Sequence, residues 1–389
     1  MTSARPYDVI VFGATGFTGR LVAEYLARKG GAASLRWAIA GRNADKLAQV
    51  KAALEGIDPV CAAVGILEAR SSDAASLARM ARQARVVLTT VGPYTEHGEP
   101  LVEACIREWT DYVDITGEPA FVEGMIERHH EAAADRGVRI VSCCGFDSIP
   151  HDLGALFTVT KLPAGEPITL EAFVRANGSF SGGTWYSAVH AMAHLRDRRR
   201  GRRATDPASR KVRGLRPKIR FDAQLKAWIC PLPTIDPLVV LRSARALDVY
   251  GPDFRYGHYL QVRSGLRLAA GLAGVGAVVA LAQLGPTREL LRRVKPQGEG
   301  PGPEERARSW FQVTFHGQAS SRRVVTRVSG GDPGYSETAK MVSESALCLA
   351  LDRDRLPARA GVLTPAVAMG EILIDRLQQA GIRFELIEG

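Results

Sequence analysis

Three glycines near the N-terminus have the spacing that phosphate groups require. The segment Gly13–Gly19 reads Gly-Ala-Thr-Gly-Phe-Thr-Gly and follows a short apolar run at Asp8–Phe12. In such a turn the first glycine permits a tight bend, the second lets the backbone approach a pyrophosphate, and the third lets a helix pack on a sheet. The start of that helix adds N–H groups and a partial positive charge. The pattern predicts nucleotide binding, with a purely structural turn as the alternative.

An arginine follows the second predicted strand, where a dinucleotide site distinguishes its cofactors. The strand ends in Ala40-Gly41-Arg42, and Lys46 lies one helical turn further on. Sites for NAD usually carry Asp or Glu at this point, which bonds the ribose hydroxyls. A guanidinium instead suits a 2′-phosphate, and the missing carboxylate removes a repulsive charge. We therefore predict NADP as the cofactor; the alternative is that Arg42 is only a solvated loop residue.

Alternating apolar runs and helical patterns over residues 1–145 predict the elements that position these groups. The strands are expected at Asp8–Phe12, Leu35–Ala40, Val60–Val64, Val86–Val91, Tyr112–Ile115 and Val138–Ser142. The helices between them are expected around Leu21–Leu26 and at Ala44–Leu54, Ala74–Arg82, Pro100–Glu108 and Ala120–Arg136. This alternation is typical of right-handed βαβ units. It predicts the α/β class, with a Rossmann-type doubly wound parallel sheet.

The pattern changes after about Gly145, where a second, mixed α+β domain is expected over residues 146–364. Alternating runs at Trp310–His316 and Arg322–Val328 suit two antiparallel strands. Further elements are expected as helices at Ser336–Leu351 and Pro365–Ala380, and as a strand at Ile382–Ile387. The segment 365–389 either belongs to this second domain or returns to the first.

The positive charge of the chain is confined to one segment of the second domain. The 389 residues hold 51 Lys and Arg against 41 Asp and Glu, a net charge of +10. The segment Arg196–Arg220 alone carries 12 of these bases and 2 acids, so the remainder is neutral with 39 of each. No nucleic-acid module accompanies the charge, and we expect no nucleic-acid binding. A solvated loop and a contact with anionic lipid headgroups both stay open.

An apolar segment, Leu268–Leu284, lies close to the basic one in the sequence. Arginines flank it on both sides, at Arg263 and Arg267 before it and at Arg288 after it. A helix of this length falls just short of a hydrocarbon core of about 30 Å. Three interpretations stay open: a helix buried in the chain or in a dimer with a second copy, a membrane-surface segment, and a spanning helix.

Cysteine usage and the first residues favour a cytoplasmic protein. The six cysteines show no C-x-x-C spacing, and no His, Cys and carboxylate set has the spacing of a metal site. The N-terminus lacks the pattern of a secretory signal. We expect reduced thiols, no metal, and at most a peripheral contact with the inner face of the membrane through 196–220 and 268–284.

Motifs further along the chain resemble one known family. They are Thr89-Thr90-Val91-Gly92-Pro93-Tyr94, Tyr112-Val113-Asp114-Ile115-Thr116-Gly117-Glu118, Cys144-Gly145-Phe146-Asp147-Ser148-Ile149-Pro150, Gly182-Gly183-Thr184, Tyr335-Ser336-Glu337-Thr338-Ala339-Lys340 and Gly361-Val362-Leu363-Thr364-Pro365. From Tyr7 to Leu386 the chain resembles the saccharopine dehydrogenase-like oxidoreductases. It is most similar to the branch that contains the trans-acting enoyl reductases of bacterial complex-lipid synthesis.

The resemblance implies particular contacts with the cofactor. The residues implied at the pyrophosphate are Gly13, Thr15, Gly16, Phe17 and Thr18, with Arg42 at the 2′-phosphate. Those implied beside the nicotinamide ribose are Thr90, Gly92, Pro93 and Tyr94, and Glu118 is a further candidate for ribose hydroxyls. Relatives often carry an acidic residue after the third strand for the adenine. This chain departs from that pattern over Gly65–Arg70, so its adenine contact is undetermined.

The implied reaction is reduction of a carbon–carbon double bond in a lipid or acyl thioester, with an acyl carrier as a possible donor. The site must stabilise an enolate and deliver a proton. The candidate catalytic residues are Tyr94, Asp147, His151 and Tyr186. Their alternatives are a packing aromatic for Tyr94, a helix cap for Asp147 and a surface residue for His151. Saccharopine-type chemistry at a carbon–nitrogen bond and a non-catalytic NADP-binding, lipid-associated protein also stay open.

Overall fold

The computed structural model describes residues 5–29, 35–177, 210–282, 287 and 300–389. The chain divides into two compact units. The first unit comprises Met1–Leu153 and Pro333–Ile382, and the second comprises Gly154–Asp332 and Arg383–Gly389. Tyr186, the Gly182–Thr184 motif and the part of the basic segment before residue 210 lie outside the described residues.

Strands and helices are numbered along the described chain. The strands are β1 Tyr7–Phe12, β2 Trp37–Gly41, β3 Gly65–Glu68, β4 Ala84–Thr89, β5 Asp111–Asp114, β6 Arg139–Val141, β7 Ile168–Asn177, β8 Lys211–Gly214, β9 Arg220–Asp222, β10 Ala227–Pro231, β11 Asp253–Val262, β12 Trp310–Gln318, β13 Arg323–Gly330, β14 Gly361–Leu363 and β15 Arg383–Glu388. The α-helices are α1 Phe17–Arg28, α2 Ala44–Glu55, α3 Ala74–Ala81, α4 Tyr94–His97, α5 Glu99–Arg107, α6 Pro119–Asp135, α7 Ile149–Val159, α8 Asp236–Ala246, α9 Gly265–Ala282, α10 Pro303–Arg308, α11 Ser336–Leu351, α12 Pro365–Ala368 and α13 Gly370–Gln379.

The first unit contains a seven-stranded sheet in the order β14-β6-β5-β4-β1-β2-β3. Every pairing in it is parallel, as in Val9↔Trp37 and Val11↔Leu88. The central strands are buried, which explains why they read as continuous apolar runs. The strand order reverses between β1 and β4, where ligands of doubly wound sheets bind. The predicted Rossmann-type sheet is confirmed.

One predicted strand is wrong. The segment Pro59–Ala63, which covers most of the expected strand Val60–Val64, forms a 3₁₀ helix, and the third strand follows it as β3. Proline at the first helical position lacks a ladder donor. The Asp58 carboxylate also accepts a hydrogen bond from the Val60 N–H at 3.0 Å and caps the helical turn. Periodicity alone did not reveal this cap.

Helix α11 belongs to the first unit, although the sequence analysis placed it in the second domain. Its buried Glu344 carboxylate accepts a hydrogen bond from the Tyr25 hydroxyl of α1 at 2.6 Å. The same carboxylate pairs with Lys29, directly after α1, and, at 2.9 Å, with Arg376 of α13. A buried carboxylate requires such partners, which are far away in sequence. These contacts hold Pro333–Ile382 within the first unit.

The second unit is a mixed eight-stranded sheet with helices, in the order β15-β13-β12-β7-β11-β10-β9 and with β8 beside β11. Strands β12 and β13 pair antiparallel, with Val313 opposite Val328, as predicted. Strand β15 pairs with β13, so the C-terminal strand extends this sheet and not that of the first unit. Phe173, Ile229 and Tyr259 form part of its core.

Helix α9 contains most of the apolar segment predicted at 268–284. Leu268 is 8% exposed, whereas Leu266 is 82% and Val275 51% exposed. Against the other described residues, helix α9 is therefore mostly exposed and not buried. Across the described ranges, no helix is both long and apolar enough to cross a membrane.

Candidate functional site

The turn after β1 is closed so tightly that two of its positions require glycine. Gly13 has φ +92°, a region that favours glycine, and a Cβ there would lie 2.8 Å from Val91 Cγ2. A Cβ on Gly19 would lie 2.1 Å from the carbonyl oxygen of Gly13. The first turn of α1 therefore rests directly on the backbone of the glycine turn.

The N-terminus of α1 is suited to an anion. Gly16 precedes the helix, and its N–H donates to the Gly13 carbonyl at 3.0 Å. Within the described part of the chain no side chain caps α1, and its first turn carries no acidic residue. The aromatic ring of Phe17 packs edge-on against Tyr335 at 4.8 Å between centroids. A closed glycine turn and an uncapped helix start are what a pyrophosphate needs.

Arg42 lies next to this turn. It is an exposed residue directly after β2, and it makes no ion pair with any other described residue. The Thr15 hydroxyl lies 3.9 Å from the position that a Cβ would take on Gly41. Asn43 caps α2 by accepting from the Lys46 N–H at 2.9 Å. The glycine turn and the end of β2, which Arg42 follows, are thus neighbours, as a pyrophosphate and a 2′-phosphate of one cofactor require.

The segment after β4 is bonded to the glycine turn. The Thr90 N–H donates to the Phe12 carbonyl at 3.0 Å, and the Thr90 hydroxyl donates to the Gly13 carbonyl at 3.4 Å. The peptide between Gly92 and Pro93 is cis. Thr90, Gly92 and Pro93 therefore lie at the carboxyl end of β4, beside the point where the strand order reverses.

Glu118 fixes the end of this segment. Its carboxylate accepts hydrogen bonds from the N–H groups of Tyr94 at 3.0 Å and Thr95 at 2.9 Å, and from the Thr95 hydroxyl at 2.8 Å. It thereby satisfies N–H groups at the start of α4. Glu118 is thus a capping residue next to the segment that is predicted to lie beside the nicotinamide ribose. Its hydrogen bond to the ribose stays a prediction.

Tyr94 is a buried side chain in the site. It is 6% exposed, and its hydroxyl donates to the Thr89 carbonyl at 3.2 Å. Its ring lies 5.7 Å from the ring of Phe121. Burial, with the nearby Asp114 carboxylate, raises the pKa of Tyr94 well above its usual value. These contacts favour the packing role that the sequence analysis left open beside the catalytic one.

Asp147 and His151 occupy different environments in the first unit. A Cβ on Gly117 would lie 3.0 Å from an Asp147 carboxylate oxygen, and Asp147 precedes α7. His151 lies in the first turn of α7, 2% exposed, with its ring 5.6 Å from that of Phe146. The alternative of a surface histidine is wrong, because the loop before α7 folds Phe146 against the ring.

Asp114, a buried carboxylate at the end of β5, is a site residue that the sequence motifs did not identify. It accepts hydrogen bonds from the Tyr112 hydroxyl at 2.9 Å, the Ser142 hydroxyl at 2.9 Å, and the N–H groups of Thr116 and Cys143, both at 3.0 Å. It links β5 to the segment after β6. Burial raises the pKa of Asp114 to about 6. The presence of an aspartate within the predicted strand Tyr112–Ile115 was the signal in the sequence.

This elevated pKa predicts a pH-dependent stability. Folded Asp114 keeps its proton up to about pH 6, whereas an unfolded aspartate loses it near 3.9. The stabilising contribution is therefore complete below the unfolded pKa and is lost as pH rises through about 6, with a total of about 2 to 3 kcal/mol.

Urea unfolding of the parent and of Asp114→Asn, measured from about pH 4 to about pH 7, checks this prediction. Asparagine resembles the protonated acid, so the variant should gain stability relative to the parent as pH rises. A difference between the two proteins that does not change with pH would contradict it.

Ser148 is a second residue that the sequence did not identify. It has φ +126°, unusual for a residue with a side chain. It is buried, and no described group hydrogen-bonds its hydroxyl. The preceding Phe146 donates its N–H to the Thr338 hydroxyl at 3.1 Å, which brings two of the family motifs together. A strained backbone and an unused hydroxyl beside Asp147 mark Ser148 as a candidate donor to a ligand.

Comparisons with known proteins agree with this geometry. Residues 9–141 match the family described as the saccharopine dehydrogenase NADP-binding domain. A Mycobacterium tuberculosis protein provisionally named a trans-acting enoyl reductase is 39% identical, covering 98% of this chain and 97% of that protein. The saccharopine dehydrogenase-like oxidoreductase of Homo sapiens is 34% identical, covering 99% and 98%.

A solved structure shares the fold. Apo saccharopine dehydrogenase (L-Glu forming) from Saccharomyces cerevisiae aligns with a TM-score of 0.55 at 14% identity, covering 98% of this chain and 100% of that one. The family match over the glycine turn confirms NADP as the cofactor, and the site fits it. The chain therefore belongs to the saccharopine dehydrogenase-like family of NADP-binding oxidoreductases.

Proposed function

We propose that the protein is a trans-acting enoyl reductase that reduces a carbon–carbon double bond of a lipid or acyl-thioester intermediate. The observation that carries this proposal is the full-length similarity, at 39% identity, to the M. tuberculosis protein of that provisional name. A Mycobacterium ulcerans protein named trans-acting enoyl reductase is 34% identical, covering 98% of each chain. The substrate is proposed to arrive on an acyl carrier of a separate synthase.

In this proposal the residues of the first unit hold and orient the cofactor. The Gly13–Gly19 turn and α1 bind its pyrophosphate, Arg42 binds the 2′-phosphate, and the Thr90–Pro93 segment lies against the nicotinamide ribose. When bound, NADPH supplies the hydride. The proposed role of Glu118 is to keep that segment in place and to bond a ribose hydroxyl.

The other half of the reaction needs a hydrogen-bond donor and a proton donor. Hydride addition at the β-carbon leaves an enolate, whose oxygen must be stabilised while a proton reaches the α-carbon. We assign the Ser148 hydroxyl as a donor to that oxygen, because it is buried without a described partner. Asp147, His151 and Tyr186 remain the candidate proton donors, whereas the contacts of Tyr94 support a bracing role.

The bracing role of Tyr94 makes a specific prediction. Tyr94→Phe keeps the ring that packs on Phe121 and loses a hydroxyl that donates to the Thr89 carbonyl at 3.2 Å and accepts from the Ile115 N–H at 3.5 Å. We expect turnover within about threefold of the parent and a loss of about 1 to 2 kcal/mol in the free energy of unfolding, the usual value of two hydrogen bonds. Steady-state NADPH oxidation and urea unfolding measure the two effects. A fall of about a hundredfold in turnover, the scale of a lost acid catalyst, would instead make Tyr94 the proton donor.

The reaction class is tested by NADPH oxidation with three reaction mixtures. The first contains an enoyl thioester, the second a saccharopine-like amino-acid adduct, and the third no substrate. The proposal expects substrate-dependent oxidation only with the thioester. Oxidation with the adduct alone would establish carbon–nitrogen chemistry instead. If NADPH binds tightly but neither substrate is reduced, a non-catalytic NADP-binding role replaces the proposed one.

A further inference from the structure

Helix α9 exposes an unusual amount of apolar surface in the second unit. After Arg267 it carries no charged side chain. Leu266, Leu272, Val275 and Leu281 are 82%, 43%, 51% and 42% exposed. Helices that are apolar on every side are normally buried in protein or lipid. Contiguous apolar surface of this kind marks an interaction site.

The apolar surface continues onto the edge of the adjacent sheet. Phe221 of β9 lies opposite Trp228 of β10, which lies opposite Val262 of β11, so the three side chains share one face. The rings of Phe221 and Trp228 are 5.8 Å apart, and Phe221 is 53% exposed. A Cβ on Gly265 would lie 3.1 Å from Trp228 Nε1, so α9 begins directly beside this row.

Basic side chains border this combined surface, which we call the α9 surface and define as α9 with Phe221. Arg263 and Arg267 are exposed at the start of the helix, and Arg216 and Lys218 are exposed shortly before β9. The described residues that adjoin the apolar surface in the chain thus include four exposed basic side chains.

We infer that the α9 surface docks on an anionic lipid bilayer, with its apolar side chains in the interface and its basic border against the headgroups. Each basic residue near such a surface contributes about 1 kcal/mol, and aromatic rings favour the interface. A second copy of the chain fits less well, because it carries the same positive charges and offers no complementary charge to the basic border. This inference goes beyond the proposed reaction and does not depend on it.

Vesicle flotation of the full-length protein, without cofactor or substrate, tests the inference. One set of vesicles is phosphatidylcholine alone, and the other contains equal parts of phosphatidylcholine and phosphatidylglycerol. The parent should float with the anionic vesicles and dissociate as salt rises. The double variant Leu272→Glu with Val275→Glu should lower the partition coefficient at least tenfold, since charges replace apolar side chains in the lipid.

Two further variants complete the design. Arg263→Gln with Arg267→Gln should weaken binding about thirtyfold on anionic vesicles only. Leu351→Glu replaces a leucine that is 51% exposed in the first unit, and it should bind like the parent. All the altered residues are exposed, and thermal unfolding confirms that each variant is folded.

Three results would overturn the inference. One is equal partition of the parent onto neutral and anionic vesicles. Another is undiminished flotation of the Leu272→Glu, Val275→Glu variant. The third is a dimer by light scattering that this variant dissociates without any binding of the parent to lipid, which would assign the surface to a second copy.

Discussion

Replacing Gly19 by alanine is expected to raise the dissociation constant for NADPH at least a hundredfold. The added methyl carbon would lie 2.1 Å from the Gly13 oxygen, 2.8 Å from the Gly13 carbonyl carbon and 2.9 Å from Ala14 Cα. All three atoms are backbone, so no side-chain rotation relieves the clash, and α1 must move away from the turn. Overpacking of this kind typically lowers the free energy of unfolding by roughly 1 to 3 kcal/mol. The N–H groups at the start of the displaced helix would also no longer point at the pyrophosphate.

Fluorescence titration with NADPH and urea unfolding measure these two effects. The matched control is Gly274→Ala, another glycine within a helix, where an added Cβ meets no atom within 4 Å. Alanine there should leave NADPH binding unchanged and stabilise the helix by up to about 1 kcal/mol. Parent-like NADPH binding by Gly19→Ala would show that the turn does not hold the phosphates.

Arg42 is expected to determine the choice between the two nicotinamide cofactors. Arg42 is exposed and directly follows Gly41, which lies beside the glycine turn, so its side chain is available to a 2′-phosphate. A charge-assisted bond of this type contributes about 1.5 to 3 kcal/mol. Arg42→Ala should therefore raise the dissociation constant for NADPH about 10- to 100-fold. That for NADH should not change, because NADH lacks the phosphate.

Parallel titrations with NADPH and NADH provide the measurement. Arg79→Ala, which removes an exposed arginine from α3, is the control for a general change in charge and should change neither value. Lys46→Ala should lower the affinity for NADPH less than Arg42→Ala does. The ammonium of a lysine acts as a point charge and lacks the planar guanidinium that can bond two phosphate oxygens at once. Unchanged NADPH affinity in Arg42→Ala would remove Arg42 from the cofactor site.

The parallel sheet of the first unit could be predicted from the sequence because its strands are buried on both faces. Strands of that kind read as apolar runs separated by helical patterns. The segment Val60–Val64 has the same pattern, but the strand predicted there is wrong. Capping by Asp58 and the proline that follows it favour a 3₁₀ helix instead. A short apolar run does not distinguish these outcomes.

Contacts between residues that are distant in the sequence determine to which unit each C-terminal segment belongs. The Glu344 carboxylate finds its partners on α1 and α13, and no local pattern identifies them. Similarly, β15 joins the second sheet by pairing with β13. Such pairings are set by the whole fold and are not encoded in the spacing of apolar residues.

The cofactor half of the candidate site was more predictable than the substrate half. Glycines that accept no Cβ and an arginine after the second strand have local sequence signals. The environments of Asp114 and Ser148 depend on neighbouring strands and on an unusual backbone angle. The burial of His151 likewise follows from packing that the spacing of Asp147 and His151 does not reveal.

The most direct test of the proposed reaction follows the hydride itself. NADPH that carries deuterium at both C4 positions is incubated with the protein and an enoyl thioester. The product is analysed by mass spectrometry and NMR. The proposal predicts one deuterium on the β-carbon of a saturated thioester and one solvent-derived proton on the α-carbon. A thioester that remains unsaturated, while the deuterium appears on the carbon of a reduced carbon–nitrogen bond in a parallel incubation with an amino-acid adduct, would contradict it.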